Sequence, residues 1–254
     1  LTYKAGDGGK YIYTKNGDGS YKRPLGIYSD LIKSASGYTL TEKDGTQHVF
    51  NTQGRLTSMV DRNANTLTFT YSGNEMIEIT DPAGRSFVFA YNSHGQIETI
   101  TAPGVENVWT YTYDDDDLIS IVNNAGQEIS YSYYADHKMA SRTNEEGATV
   151  THDYYSDGKT HMNLMPNGGT YLFSYNGALS VTTITDPEGN SKSHYFNKHG
   201  AITGILDPLG FEELYEYDDN LNRVKVTGKN GGITRYTYDA NGNILTETNP
   251  LNHV

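Results

Sequence analysis

The stretch that decides the fold runs from Asp186 to Gly210 and reads DPEGNSKSHYFNKHGAITGILDPLG. It opens and closes with the same Asp-Pro-x-Gly turn, in which Pro presets φ and Gly accepts a positive φ. An aromatic ring, Phe196, lies between the two turns, and Gly200 follows it four residues later. Turns that bracket two short apolar stretches predict one β-hairpin in this unit.

The same unit recurs along the chain. Glycines recur every 20–22 residues, and an aromatic residue, here called the register ring, lies seven residues after each of them. The glycines are Gly84, Gly104, Gly126, Gly147, Gly168, Gly189, Gly210 and Gly231, and the rings are Tyr91, Tyr111, Tyr133, Tyr154, Tyr175, Phe196, Tyr217 and Tyr238. A fixed period of this length indicates a repeat architecture, so we predict that these are structural repeat positions.

The segments that lead into the rings alternate apolar and polar residues, as in 67–71, 109–113 and 129–133. Such alternation is typical of a strand with one covered face. About ten units can be traced from Phe50 to Tyr238. We therefore predict an all-β fold of tandem β-hairpin repeats of about 21 residues. Because twist accumulates over many strands, the antiparallel sheet should curl or spiral.

Composition excludes several functional classes. The 254 residues include 31 acidic and 19 basic side chains, a net charge of −12, and no cysteine. The excess of acidic residues argues against a basic surface that binds nucleic acid. Without cysteine, the chain cannot form disulfides, zinc–thiolate sites or thiol nucleophiles. No stretch approaches the roughly 18 apolar residues of a membrane span. The 22 tyrosines supply aromatic surface that the few Leu, Ile, Val and Phe residues do not.

The unit resembles the repeat of the RHS/YD-repeat family, Tyr-Asp/Asn-x-x-Gly-x-Ile/Leu followed by Asp-Pro-x-Gly. Residues 238–244, YDANGNI, and 196–202, FNKHGAI, show it best. The resemblance covers about residues 20–254 and extends to bacterial polymorphic toxins, the C subunits of insecticidal toxin complexes and teneurins. It implies that the sheet is part of a hollow, spiralling β-shell. In the bacterial toxins that shell encloses a C-terminal effector polypeptide.

The resemblance sets the expected organisation and function. Residues 1–43 break the period and are expected to cap or plug one end, whereas 44–254 hold about ten repeats and stop mid-repeat. The expected function is a non-catalytic shell segment of a secreted or cell-surface bacterial protein. Its expected partners are the enclosed C-terminal polypeptide of the same parent protein, neighbouring shell segments and secretion-system components. The alternative is a cell-surface adhesion module that binds carbohydrate or protein.

Candidate sites are few, and no cofactor is expected. Asp114, Asp115, Asp116 and Asp117 form an acidic run of the kind that binds calcium, but the run falls on a predicted turn, where Asp is common. The eight histidines fit no zinc frame, and no Gly-x-Ser-x-Gly nucleophile elbow occurs, so an enzyme is not expected. The register rings could stack on sugars, but we expect each ring to pack against the equivalent ring of the next hairpin.

Overall fold

The structure is a computed structural model and describes residues 1–104 and 107–254. These residues form 26 strands and no helix, and every strand pairing that the structure records is antiparallel. The predicted all-β fold of hairpin repeats is confirmed. In the described ranges, no helix is long and apolar enough to cross a membrane.

The chain divides into two compact units. Unit 1 comprises residues 1–111 and 123–125, and unit 2 comprises residues 112–122 and 126–254. Strand β13 contributes residues to both.

The strands of unit 1 are β1 (Thr2–Lys4), β2 (Lys10–Ile12), β3 (Thr14–Lys15), β4 (Tyr21–Lys22), β5 (Asp30–Ser34), β6 (Gly37–Thr41), β7 (Gln47–Asn51), β8 (Leu56–Val60), β9 (Thr66–Ser72), β10 (Glu75–Thr80), β11 (Ser86–Tyr91), β12 (Ile97–Thr101) and the start of β13 (Val108–Asp114). Strands β5 to β13 pair in sequence order as a meander. Two small sheets, β1–β2 and β3–β4, precede it.

The complete strands of unit 2 are β14 (Asp117–Val122), β15 (Glu128–Tyr133), β16 (Met139–Thr143), β17 (Thr149–Tyr154), β18 (Thr160–Leu164), β19 (Thr170–Asn176), β20 (Val181–Thr185), β21 (Ser191–Phe196), β22 (Ile202–Leu206), β23 (Glu212–Tyr217), β24 (Arg223–Thr227), β25 (Ile233–Tyr238) and β26 (Ile244–Thr248). They also pair in sequence order, from β14 with β15 to β25 with β26. Seven of the eight register rings lie at or next to the end of an odd-numbered strand, whereas Tyr111 lies in the middle of β13.

Each strand carries different side chains on its two faces. In β13 the rings of Trp109, Tyr111 and Tyr113 share one face, and Thr110 and Thr112 share the other. The second face is rich in hydroxyls that bond across strands. Thr143 with Thr149, Thr183 with Ser193, and Ser132 with Ser141 have oxygen–oxygen distances of 2.8, 2.8 and 2.6 Å. Such cross-strand pairs each contribute about 0.2–1 kcal/mol.

Neither face of the repeat sheet in unit 2 is covered by a second layer. Among the described residues of that unit only Gly204 is buried. The side chains are half-buried by their neighbours on the same face, so stabilisation comes mainly from pairing between adjacent strands. The sheet of unit 2 is therefore a wall one strand layer thick.

The start of unit 1 differs, because it has a second layer. The ring of Tyr3 packs on Phe50 and His48 of β7, with ring centroids 6.1 and 6.2 Å apart. Tyr13 is fully buried, and its hydroxyl lies 2.6 Å from the Ser29 hydroxyl. The sheet also begins before the predicted boundary, since β5 and β6 pair with each other and β6 pairs with β7. The role of residues 1–43 as a cap stays a prediction.

Candidate functional site

The predicted glycines lie in the turns that join one hairpin to the next. Their φ angles are positive, from 75° to 121°, and a methyl group at any of the eight would meet open space. Glycine is therefore present for its backbone freedom and not for close packing. The same conformation occurs at the ring side of the hairpins, where Gly200 and Gly242 have φ of 80° and 71°. His137 occupies this position in one hairpin at φ 62°.

An Asp or Asn side chain caps many of these turns. In the turn after β20, the Oδ1 atom of Asp186 accepts the backbone N–H groups of Glu188 and Asn190, and its Oδ2 accepts the Asn190 side-chain amide. These bonds, with the Asn190 side chain first, lower the pKa of Asp186. Asn197 makes the same two backbone contacts in the turn after β21. The Asx residue thus fixes the turn by bonding its own backbone.

Five register tyrosines, and Tyr71 at the equivalent position of an earlier hairpin, join their repeats to the preceding ones through their hydroxyls. In six repeats the hydroxyl donates a hydrogen bond of 2.7–2.9 Å to the backbone carbonyl 15 residues earlier. The donors are Tyr71, Tyr91, Tyr133, Tyr154, Tyr217 and Tyr238, and the acceptors are Leu56, Met76, Leu118, Met139, Ile202 and Arg223. Burial raises the pKa of Tyr91 and of Tyr133, which keeps these donors protonated. We call this contact the inter-repeat hydrogen bond.

In three places a basic side chain lies over a tyrosine ring of the next repeat, at Tyr71 or at a register ring. Arg55 lies 5.7 Å from the centre of Tyr71, Lys138 lies 5.8 Å from Tyr154, and Lys159 lies 5.4 Å from Tyr175. In each case the cation precedes the ring by 16 residues. These are cation–π contacts within the usual limit of about 6 Å.

We expected each register ring to pack against the equivalent ring of the next hairpin. The ring pairs in the middle repeats show that this expectation is wrong there. Tyr154 contacts Tyr134, and Tyr175 contacts Tyr155, each as an edge-to-face pair with centroids 6.2 Å apart. In both pairs the partner is the residue after the preceding register ring. Equivalent rings lie two strands apart, about 9.5 Å, which exceeds the 4.5–7 Å of aromatic pairs.

The acidic run forms a tight turn. Asp114 ends β13, Asp117 begins β14, and Asp115 and Asp116 lie between them, with φ of 48° at Asp115. The carboxylate of Asp117 lies 3.1 Å from Nδ1 of His137 in the next hairpin. Within residues 1–104 and 107–254, no group of three or more His, Asp or Glu side chains is arranged to hold a metal ion.

Two neighbouring clefts flank Tyr134 in unit 2. One has a volume of about 440 Å³ and is lined by Asp114, Asp117 and Tyr134, among others. The second, of about 480 Å³, lies between Tyr134 and Tyr155. Both rings are open to solvent, with 45% and 39% of their surface exposed. They lie outside the register, and we call them the tyrosine pair.

Comparison with known proteins agrees with this architecture. The family model described as RHS Repeat matches residues 50–86 and 217–254. The first match holds β8 to β10 and the second holds β24 to β26, so both fall on the hairpins that carry the register rings. Two stretches of the chain are therefore identified as RHS repeats. The resemblance seen in the sequence is thereby confirmed.

The chain is also similar to curated bacterial proteins. It is 33% identical over 72 residues to the tRNA nuclease WapA of Bacillus subtilis (strain 168). The tRNA3(Ser)-specific nuclease WapA of Bacillus spizizenii matches at the same identity over the same length. The alignment covers 28% of this chain and 3% of each relative.

The chain is also similar to solved structures. The TcdB2-TccC3-TEV structure has a TM-score of 0.50 and 12% identity, over 98% of this chain and 18% of the other. The Tc holotoxin pore of Photorhabdus luminescens has a TM-score of 0.47 and 11% identity, over 96% and 17%. Because its identity is only 12%, the similarity to the TcdB2-TccC3-TEV structure concerns the fold alone.

Proposed function

We propose that this RHS-repeat chain is a non-catalytic wall segment of a β-shell that encloses and shields a C-terminal toxin or effector polypeptide of its parent protein. The observation that supports the proposal is the continuous sheet, one strand layer thick. In each unit the strands of the repeat sheet pair in an unbroken series, and inter-repeat hydrogen bonds add a side-chain link between hairpins. Such a sheet needs no catalytic group to act, because it separates two spaces sterically.

The geometry supports such a barrier. Paired strands lie about 4.8 Å apart, a spacing already filled by their own backbones and hydrogen bonds. A protease loop or a disordered chain therefore has to open several strand pairings to pass. Since each hairpin is stabilised by its neighbours, opening one repeat also weakens the contacts of the next.

The relatives support an effector as the enclosed polypeptide and an extracellular setting. WapA is named as a tRNA nuclease. By analogy, we place the parent protein outside the cell or on its surface. Neighbouring shell segments and secretion components are then the further partners. The net charge of −12 favours solubility of so large a sheet.

The test is proteolysis of the full parent protein under native conditions, followed by mass spectrometry of the segment downstream of the repeats. The control is the same segment expressed alone. Shielding predicts that the downstream segment survives in the parent and becomes cleavable at the urea concentration that unfolds the sheet. Cleavage at equal rates in the parent and in the isolated segment would refute the wall function.

A second role, a surface that binds a glycan or a protein, is favoured by one observation. The tyrosine pair lies outside the repeat register and is open to solvent. Exposed aromatic rings bind the apolar faces of sugars and the side chains of protein partners. Binding of either class that is lost in a Tyr134→Ala/Tyr155→Ala variant would establish this role, and unchanged binding would remove it.

A further inference from the structure

Five asparagines of the chain are followed directly by glycine: Asn16, Asn167, Asn176, Asn230 and Asn241. Such a pair can react with itself, because glycine has no Cβ to block the approach of its backbone nitrogen to the asparagine side chain. The nitrogen bonds to Cγ, the Cγ–Nδ2 bond breaks, and ammonia leaves with the proton that the nitrogen loses. The product is a succinimide ring, which water opens to aspartate or to isoaspartate.

The attacking nitrogen is held by a hydrogen bond in three of the five pairs. The N–H groups of Gly168, Gly231 and Gly242 donate to the backbone carbonyls three residues earlier, at 2.9, 2.8 and 3.1 Å. These bonds close the turns and have to break before the nitrogen can react. Within residues 1–104 and 107–254, the N–H groups of Gly17 and Gly177 have no hydrogen-bond partner, and both glycines are exposed. The nitrogen is therefore free to attack at Asn16 and at Asn176.

The side-chain carbonyl distinguishes these two asparagines. The Oδ1 atom of Asn176 accepts the backbone N–H of Leu179 at 3.1 Å. Negative charge develops on this oxygen as the nitrogen attacks, so the N–H group stabilises the tetrahedral intermediate in the manner of an oxyanion hole. At Asn16 it is the leaving nitrogen that is bonded, since its Nδ2 donates to the Ser20 hydroxyl at 2.8 Å. Asn176 thus combines a free nucleophile with a polarised carbonyl.

The turn between β19 and β20 does not need glycine at position 177. A methyl group on Gly177 would meet open space, and its φ lies outside the left-handed region. The residue with positive φ in this turn is Ser180, at 51°. Gly168 and Gly231, in contrast, have φ of 83° and 78°, where a side chain is strained. Alanine can therefore replace Gly177 without strain and block the approach to Asn176.

We propose that Asn176 is a site of spontaneous covalent modification, at which the folded chain forms aspartate and isoaspartate through a succinimide faster than at its other four Asn-Gly pairs. Each product adds one negative charge at the end of β19. Isoaspartate also adds one carbon to the main chain at the point where Asn176 pairs with Val181 of β20. This inference goes beyond the wall function and does not depend on it.

The test is peptide mass spectrometry of the whole chain during incubation at mildly alkaline pH, once in buffer and once in urea. The quantity compared is the rate at each asparagine in the folded chain divided by its rate in urea. Asn167 is the matched site, because its Oδ1 also accepts a backbone N–H, that of Gly169 at 3.0 Å, whereas the N–H of Gly168 is held. Breaking one hydrogen bond first slows a reaction about 2- to 13-fold. The ratio should therefore be about 2- to 13-fold higher for Asn176 than for Asn167.

Two variants complete the test. Gly177→Ala should slow the reaction at Asn176 and leave the other four sites unchanged. Gly6→Ala is the matched control, because a methyl group at Gly6 also meets open space and its φ also lies outside the left-handed region. It should leave the rate at Asn176 unchanged, and circular dichroism verifies that both variants are folded. Equal ratios for Asn176 and Asn167, or an unchanged rate at Asn176 in Gly177→Ala, would overturn the proposal.

Discussion

Replacing Tyr133 by phenylalanine removes one inter-repeat hydrogen bond and leaves the ring in place. The Tyr133 hydroxyl donates to the Leu118 carbonyl at 2.8 Å, and both residues are half-buried. A hydrogen bond of this kind contributes a net of about 0.5–1.5 kcal/mol to the free energy of unfolding. For a chain of this size, 1 kcal/mol corresponds to a Tm shift of about 2–4 °C. We therefore expect Tyr133→Phe to lower Tm by about 1–6 °C, with about 2–4 °C for a loss of 1 kcal/mol.

The chain offers a matched control on the same strand. Tyr131 lies two residues before Tyr133 on the same face of β15. Among the described residues, its hydroxyl has no hydrogen-bond partner. Tyr131→Phe should therefore leave Tm within about 1–2 °C, since substitutions away from such contacts usually change stability by less than about 0.5 kcal/mol. Thermal unfolding of the three proteins is followed by circular dichroism, and urea unfolding gives the free energies.

A double variant tests whether the repeats act as independent links. Tyr217 makes the same bond to Ile202 at 2.7 Å, four repeats further along unit 2. The two sites share no neighbours, so the losses for Tyr133→Phe and Tyr217→Phe should add to within about 0.5 kcal/mol. Equal stability of Tyr133→Phe and Tyr131→Phe would refute the structural role of the bond.

Two further predictions concern the turns. A methyl group at Gly37 (φ 143°) would overlap the carbonyl oxygen of Phe50, whereas at Gly189 (φ 85°) it would meet open space. Gly189→Ala should lower the free energy of unfolding in urea by about 1–2 kcal/mol. Gly37→Ala should lower it distinctly more. Equal losses for the two variants would contradict this reasoning. The pKa of Asp186 is lowered in the folded protein. Its carboxylate therefore stabilises the fold above the unfolded pKa of about 3.9, and this stabilisation is lost as pH falls through the folded pKa. Because asparagine keeps the cap, as Asn197 does, Asp186→Asn should show a smaller fall in Tm between pH 6 and pH 3, and identical falls would exclude the effect.

The repeat could be predicted from the sequence because the signals for it are local. The Asp-Pro-x-Gly turn before Gly189 and the alternating strand into Tyr133 depend on residues close together in the chain. Hairpins need only such short-range information, so the antiparallel fold could be predicted without knowing any distant contact. The second layer over the sheet in unit 1 could not be predicted in this way. Tyr3 contacts Phe50 across 47 residues, and no recurring pattern in the sequence indicates that contact.

The candidate site was predicted only in part. A spacing of 15 residues between Tyr133 and Leu118 carries no signal, because the acceptor is a backbone carbonyl that any residue supplies. The 16-residue spacing from Lys138 to Tyr154 was visible in the sequence and would have indicated the cation–π contacts. The expectation that equivalent rings stack failed because two strand widths separate them.

The sequence-order pairing of the strands has a consequence for how such a protein is made and exported. Each hairpin finds its partners within the few dozen residues on either side, which keeps contact order low. The sheet can therefore form progressively as the polypeptide emerges from a ribosome or a narrow translocation channel. A repeat that has left the channel folds onto the one before it while the rest of the chain is still unfolded inside.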